Sequence, residues 1–268
     1  MEFQRWPVRL SVMSFNVWGN DRWPERREAL QETLRRHRPD VIGLQEVTPD
    51  ILEAIVEALP STHKYVMDDS NKGWSVESNI IWNDDLLQKE EHKYIDLGFE
   101  DNPLRGLFMA QFNVRANPSI KFIFSTTHLP WPGSPTEIRT GLNQRVVLAH
   151  KIATLTKSGL FESKTDQELP VILTGDFNES FHPQRILRQL ADFKDVFAEV
   201  GVPAPVTHPV RSSTERECSM PPQALDWIMI RASGDELRVI TASSVNMKGP
   251  LLPSDHLPVI SVLEVSEL

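Results

Sequence analysis

The chain has 268 residues, 40% apolar and 24% charged, with a net charge of −9. That is enough for a sizeable core in one domain, residues 1–268. The negative balance excludes tight non-specific binding of long nucleic acid, which needs clustered Lys and Arg. A single cysteine, Cys218, excludes an internal disulfide and any multi-thiolate metal site.

In chain order, residues 8–17 alternate apolar and polar and predict a strand ending at Asn16, where a signal peptide would be uniformly apolar. Pro24 opens a predicted helix over 25–38, closed by Arg35-Arg36-His37-Arg38, whose charge suits the helix dipole better than a binding role. A short apolar strand, 41–44, runs into Gln45-Glu46, and 49–59 predicts a second helix with Ile51, Leu52, Ile55 and Val56 on one face. Segments 75–82, 107–114 and 121–127 read as strands of a mostly antiparallel sheet, and 141–157 as a helix. Residues 162–168 read as a surface loop, 171–173 as a buried strand ending in Thr174-Gly175-Asp176, and 183–191 as a helix. The Pro- and Ser-rich stretch 202–222 predicts a long loop bordering a site, before strands at 225–230, 237–242 and 257–265. No run approaches the roughly 18 apolar residues of a membrane span, so the expectation is a cytoplasmic enzyme with no membrane anchor and no obligate protein partner.

Two segments are alike in kind. Residues 39–46 and 170–176 are each a Pro-led apolar strand that terminates in a carboxylate, Glu46 and Asp176. A buried strand does not end in an acid for packing reasons, because the carboxylate must then find a partner or water. Asn16 and His128 also end strands, and Asp255-His256 opens the last one, so polar groups converge on one rim.

Alone, Glu46 reads equally well as a surface charge. Beside Asp176 and Asp255 it would meet like-charge repulsion, which a hard divalent cation relieves. Oxygen ligands without thiolates suit Mg²⁺ or Mn²⁺. Asp176-Phe177-Asn178 is read as an extended segment with Phe177 in the core, its acid positioned to take a proton from water and its amide to orient that water; a turn-forming Asx pair is the plainer alternative. Asp226, inside the apolar run 225–230, needs a specific partner, and His256 is the obvious one. A lone strand-end histidine such as His128 is more often structural. Together with His256 it could serve the oxygens of a phosphoester. Trp18, Trp23 and Trp131 read as rim packing or as platforms for a base.

Six motifs carry a resemblance: Ser14-Phe15-Asn16-Val17, Gly43-Leu44-Gln45-Glu46-Val47, Thr127-His128-Leu129, Thr174-Gly175-Asp176-Phe177-Asn178, Leu225-Asp226-Trp227-Ile228 and Ser254-Asp255-His256. In this order they resemble the endonuclease/exonuclease/phosphatase superfamily, with the tyrosyl-DNA phosphodiesterase-like bacterial branch the nearest in appearance; Trp18 stands where that branch usually carries an acid. The resemblance implies an α/β, four-layer α-β-β-α sandwich with the site between two sheets. It implies Glu46 as principal metal ligand, with Asn16 and Asp255 close to the metal and phosphate. Asp176 and Asn178 would activate and orient water, Asp226 would support His256, and His128 would bind phosphate or act as general acid. The expected activity is Mg²⁺-dependent phosphodiester hydrolysis on nucleic-acid ends, nucleotides or small phosphodiesters. The alternative, a phosphomonoesterase on sugar or inositol phosphates, would need further cations, for which Arg105, Arg139 and Arg145 are candidates. A catalytically silent interaction module is the reading from another class.

Overall fold

A computed structural model describes residues 7–71, 73–161, 168–210, 221–247 and 251–267. Cys218, most of the expected loop at 162–168 and residues 211–220 of the stretch 202–222 lie outside the described residues.

The first half of the chain runs β1 (Val8–Asn16), α1 (Arg27–His37), β2 (Val41–Gln45), α2 (Pro49–Ala58), β3 (His63–Tyr65), α3 (Gly73–Val76), β4 (Ser78–Asn83), β5 (Leu87–Asp96), β6 (Gly106–Val114) and β7 (Asn117–His128). The second half runs α4 (Pro135–Thr140), α5 (Gln144–Ser158), β8 (Val171–Asp176), α6 (His182–Ala191), β9 (Lys194–Asp195), α7 (Val196–Glu199), β10 (Asp226–Arg231), β11 (Leu237–Ser244) and β12 (Val259–Val265). One six-stranded sheet has the order β11-β12-β1-β2-β4-β3 and the other β5-β6-β7-β8-β10-β9. Only the β1–β2 and β7–β8 pairs are parallel among the strand pairs described.

Three apolar layers separate four layers of structure. Leu30 and Leu34 of α1 and Ile51 and Ile55 of α2 pack on Met13, Phe15, Ile42 and Leu44 of the first sheet. Leu148 and Ile152 of α5 and Leu187 of α6 pack on Met109, Ile123, Leu173 and Met229 of the second. Between the sheets lie Leu10, Val12, Val41, Ile80, Phe122, Phe124, Ile172, Ile228 and Ile230. This is the expected α-β-β-α sandwich.

The two-residue period of a strand fixes which side chains face that central layer, and reading along each inward face locates the site. β1 presents Leu10, Val12, Ser14, Asn16; β7 presents Phe122, Phe124, Thr126, His128; β8 presents Ile172, Thr174, Asp176; β10, running the other way, presents Ile230, Ile228, Asp226. One end of the interior is therefore aliphatic and aromatic, the middle carries hydroxyls, and the other end carries acids, an amide and an imidazole. At the middle the sheets approach so closely that a Cβ on Gly43 would lie 2.1 Å from Thr174 Oγ1, and Gln45 Nε2 crosses the gap to donate to Thr126 Oγ1 at 2.8 Å.

The structure differs from the sequence expectation in several elements. Residues 75–82 do not form one strand: a helical turn, Gly73–Val76, precedes β4. Trp74 is buried edge-on against Phe108, its ring centroid 4.9 Å away, and Glu77 N closes the turn on Gly73 O at 3.0 Å. The turn sets Glu77 at the entry of β4 rather than along it. The helix expected over 141–157 starts later, because Asn143 caps it by accepting from the Arg145 and Val146 amides, while Gly141, at φ 66°, ends the separate short helix α4. β5 was not anticipated: Leu87-Gln-Lys-Glu-Glu-His-Lys-Tyr-Ile-Asp is an edge strand, whose charges blunt sheet-to-sheet association at the cost of the apolar signal.

Candidate active site

The parallel pairs place their last residues side by side. Asn16 is opposite Gln45 in one sheet; His128 is opposite Asp176 in the other, and Asp226 faces Asp176 from β10. The sandwich then brings these ends together. Asn16 Nδ2 donates to Glu46 Oε1 and to Asp176 Oδ2, both at 2.9 Å, while its Oδ1 accepts from the Trp18 amide at 2.9 Å. The amide thus links the carboxylates of the two sheets.

Asp176 is fully buried, and both imidazoles reach its Oδ2: His128 Nε2 at 3.5 Å and His256 Nε2 at 3.7 Å. Burial pushes the Asp176 carboxyl up, but the charges of His256 and His128, with hydrogen bonds from Asn16 and the Asn178 amide, hold it below the usual carboxylate range. The segment after Asp176 is not extended as expected. Asn178 sits in the left-handed region at φ 50° and donates its amide to Asp176 Oδ1 at 2.8 Å, an Asx turn, with Phe177 buried. The turn carries the Asn178 side chain beside His128 Nε2, at 3.1 Å, and onto Leu129 O, at 2.9 Å. Trp18 and Glu46 are also left-handed, at φ 64° and 57°. Non-glycine residues at positive φ cost of order 1–3 kcal/mol each, and here three of them surround one site.

Each histidine has its own carboxylate. His256 Nδ1 lies 2.8 Å from Asp226 Oδ2 and is buried. Burial alone would lower its pKa, yet Asp226, Asp176 and Asp255 together push it up to about 10. Burial pushes the Asp226 carboxyl up too, against the opposing charge and hydrogen bond of His256. His128 Nδ1 lies 3.3 Å from Glu77 Oε1. Glu77 in turn meets Arg105 Nε at 3.4 Å and accepts from Asn102 Nδ2 at 3.2 Å. Burial would raise the Glu77 carboxyl, but His128, Arg105 and Asn102 hold it below its ordinary 4.5.

Asp255 lies 4.0 Å from His256 Nε2 through Oδ1, and its Oδ2 lies 3.5 Å from His208 Nε2. Ser254 Oγ donates to Asn16 O at 2.7 Å and accepts from the His256 amide at 3.1 Å, tying the final motif to the first. Arg26, wholly buried, donates to the carbonyls of Val17, Trp18, Gly19, Asp21 and Pro253, so one guanidinium shapes the loop after Asn16.

Glu77, His208, Thr207 and Arg26 lie outside the six sequence motifs. Glu77 stands two polar residues, Ser78 and Asn79, before the apolar run 80–82 and so, unlike Glu46 and Asp176, does not end an apolar strand. Of the arginines considered for a second phosphate charge, Arg145 pairs with Glu137 at 2.8 Å and Glu179 at 3.0 Å, Arg139 pairs with Glu100, and Arg105 lies against Glu77. Trp131 is exposed at the rim with the Arg105 guanidinium 5.6 Å from its ring centroid, and Trp18 lies beneath Arg26 at 4.9 Å.

The donor set fits a hard divalent cation. Glu46 Oε1 is held by Asn16, Asp255 Oδ1 is buried without a hydrogen-bond partner among the described residues, and one donor atom each from Glu46, His128 and Asp176 lies within 4.8 Å of the others. Buried Asp176 and the half-buried Glu46 and Asp255, sharing a rim with imidazoles against them, suit a metal-dependent phosphoesterase, a hydrolase acting on ester bonds. The model of the Endonuclease/Exonuclease/phosphatase family matches residues 13–256, and the chain belongs to that family. Among solved structures, D. rerio TDP2 complexed with single-strand DNA product superposes with a TM-score of 0.76 at 18% identity, over 96% of this chain and 99% of that one. A mannosyl-6-phosphatase of Bacteroides thetaiotaomicron superposes with a TM-score of 0.70 at 21% identity, over 95% and 99%. The carbon catabolite repressor protein 4 homolog 3 of Arabidopsis thaliana is 22% identical over 196 residues, 64% of this chain but 40% of that protein, so the match spans less than half of that relative. No helix among the described residues is long and apolar enough to cross a membrane.

Proposed function

We propose that this enzyme hydrolyses phosphodiesters with Mg²⁺ or Mn²⁺, acting on nucleic-acid ends, nucleotides or small phosphodiesters in the cytoplasm. The observation that carries the reading is the placement of two histidines, each backed by its own carboxylate, against one buried Asp176.

Glu46 and Asp255 would hold the cation with Asn16 beside it, and Asn16 keeps Glu46 and Asp176 from turning away from each other. When bound, the cation polarises a phosphoryl oxygen and steadies the leaving oxygen. Asp176 accepts a proton from the attacking water, and Asn178 orients that water from its turn. His256, its Nδ1 fixed by Asp226, presents Nε2 to a phosphate oxygen. His128 presents Nε2 to a second oxygen or to the leaving group, with Nδ1 turned to Glu77.

A diester is favoured over a monoester by charge. The arginines that would meet the extra charge of a terminal phosphate are engaged by Glu77, Glu100, Glu137 and Glu179. The net charge of −9 favours a short end or a nucleotide over a long duplex, and the complex of D. rerio TDP2 with single-strand DNA product is in keeping with that substrate class. Trp131, exposed at the rim, offers a face on which a base can stack.

The test is hydrolysis of a phosphodiester and a phosphomonoester reporter, each with Mg²⁺ and with EDTA. Diester cleavage that EDTA abolishes is expected. Cleavage of the monoester alone would overturn the substrate class.

A further inference from the structure

His208 belongs to none of the motifs, yet it is built into the wall of the site. Thr207 N and His208 N donate to Gln223 O at 2.9 and 3.1 Å, and Gln223 N returns to His208 O at 2.7 Å. Buried Thr207 Oγ1 accepts the amides of Leu225 and Asp226, at 2.9 and 3.2 Å. Leu257 N donates to Thr207 O at 2.8 Å and Val210 N to Asp255 O at 2.7 Å. The segment is thus pinned to the two chain regions that carry Asp226 and the Asp255-His256 pair.

That placement sets the His208 ring on the His256 ring, centroids 4.5 Å apart and planes 35° from parallel. Its Nε2 is 3.5 Å from Asp255 Oδ2, while Asp255 Oδ1 is 4.0 Å from His256 Nε2. One donor atom from each of His208, Asp255 and His256 lies within 4.8 Å of the other two, and Asp176 Oδ2 is 3.7 Å from His256 Nε2. A tetrahedral zinc ion with bonds of about 2.0–2.1 Å to nitrogen and oxygen needs donors roughly 3.3 Å apart, so contraction by at most about 1.5 Å closes the shell. The His256 ring is oriented as ligating imidazoles are, its Nδ1 against the Asp226 carboxylate and its Nε2 turned to the cluster. Asp255 Oδ1, buried and without a hydrogen-bond partner among the described residues, lacks a counterpart that a cation would supply.

We infer that His208, His256 and Asp255 form a second cation site, nitrogen-rich and selective for Zn²⁺, that shares Asp255 with the oxygen-donor site at Glu46. Two imidazoles and a carboxylate suit Zn²⁺, whereas Mg²⁺ prefers oxygen and keeps its waters. On the reading that His256 Nε2 faces the phosphate, Zn²⁺ here takes that nitrogen away and inhibits the Mg²⁺ enzyme.

The experiment is calorimetric titration of ZnCl₂ into the full chain with Mg²⁺ in excess, in a Cys218→Ser background so that thiol binding does not count. One Zn²⁺ per chain is expected, with His208→Ala weakening Kd by roughly 10–100-fold or more and Glu46→Gln changing it by less than about threefold. A visible spectrum of the Co²⁺-loaded protein, which needs no variant to fold, should show the intense bands of a four- or five-coordinate nitrogen-containing site. Absence of Zn²⁺ uptake, equal affinity in His208→Ala, loss of binding in Glu46→Gln alone, or a weak octahedral Co²⁺ spectrum would each overturn the inference. Zinc uptake that depends on His208, in a protein that cleaves neither reporter, would sink the phosphodiesterase reading and leave this one standing.

Discussion

His128 and His256 reach Asp176 Oδ2 at nearly the same distance, 3.5 and 3.7 Å, but the carboxylates behind them are held differently. Asp226 is wholly buried and gives one oxygen to His256 at 2.8 Å, while its Oδ1 has no hydrogen-bond partner among the described residues. Glu77 is shared: His128 at 3.3 Å, Arg105 at 3.4 Å and Asn102 at 3.2 Å all draw on it. A carboxylate whose one charged partner is the imidazole fixes ring and tautomer together, and its loss leaves an unmatched buried charge. A shared one is a smaller part of any single interaction, because Arg105 and Asn102 also stabilise its charged form. The His256 pair should therefore dominate the chemistry, and the His128 pair should tolerate more.

Asp176 serves both histidines, so Asp176→Asn should have the largest effect, lowering kcat on a phosphodiester reporter by roughly ten-thousandfold. His256→Gln should cost about a thousandfold and His128→Gln about a hundredfold under the same assay. Equal losses, or the reverse order, would break the asymmetry. One step further out, Asp226→Asn should lower kcat about a hundredfold and Glu77→Gln about tenfold, each with KM for the substrate changed by less than about threefold. The KM-against-kcat split matters, because a general loosening of the fold would move both constants.

That asymmetry also explains what the amino-acid sequence disclosed. Asp226 lies within an apolar run, where an acid is conspicuous, and His256 lies in a short motif beside another acid. Glu77 follows a helical turn that local pattern does not separate from β4, since Trp74, Ser75 and Val76 alternate as a strand would. Only the packing of Trp74 against Phe108 makes them a turn. The strands were legible because inward positions repeat every second residue, with Leu10, Val12, Ser14 and Asn16 as the clearest series, while the four-layer arrangement was implied by the family resemblance. The charged edge strand β5 was not, because its polar surface hides the period. Asn178 misled for a different reason: its left-handed turn satisfies the Asx reading and also delivers its side chain to His128, so the two alternatives hold together. His208 carried no local sign, because its relation to Asp255 is set by Thr207 and Gln223 across a long stretch of chain.

The smallest effect separates the pairs by stability instead of rate. Glu77 titrates below its ordinary 4.5 because, although burial opposes it, His128, Arg105 and Asn102 stabilise the carboxylate. A carboxyl depressed on folding contributes stability that is fully present above the unfolded value and is lost as the pH falls through the folded one. Glu77→Gln never has that contribution. Its Tm, measured in EDTA by calorimetry, should lie roughly 3–8 °C below wild type at pH 7. The gap should close as the pH drops from about 5 toward 3, because the wild type loses in acid what the variant lacks throughout. Arg105→Met should close the same gap from the other partner, since removing the guanidinium lets the Glu77 carboxyl rise toward its ordinary range. A gap that stays constant into acid would mean that Glu77 contributes by packing and not by charge, and the shared carboxylate would then no longer distinguish the two pairs.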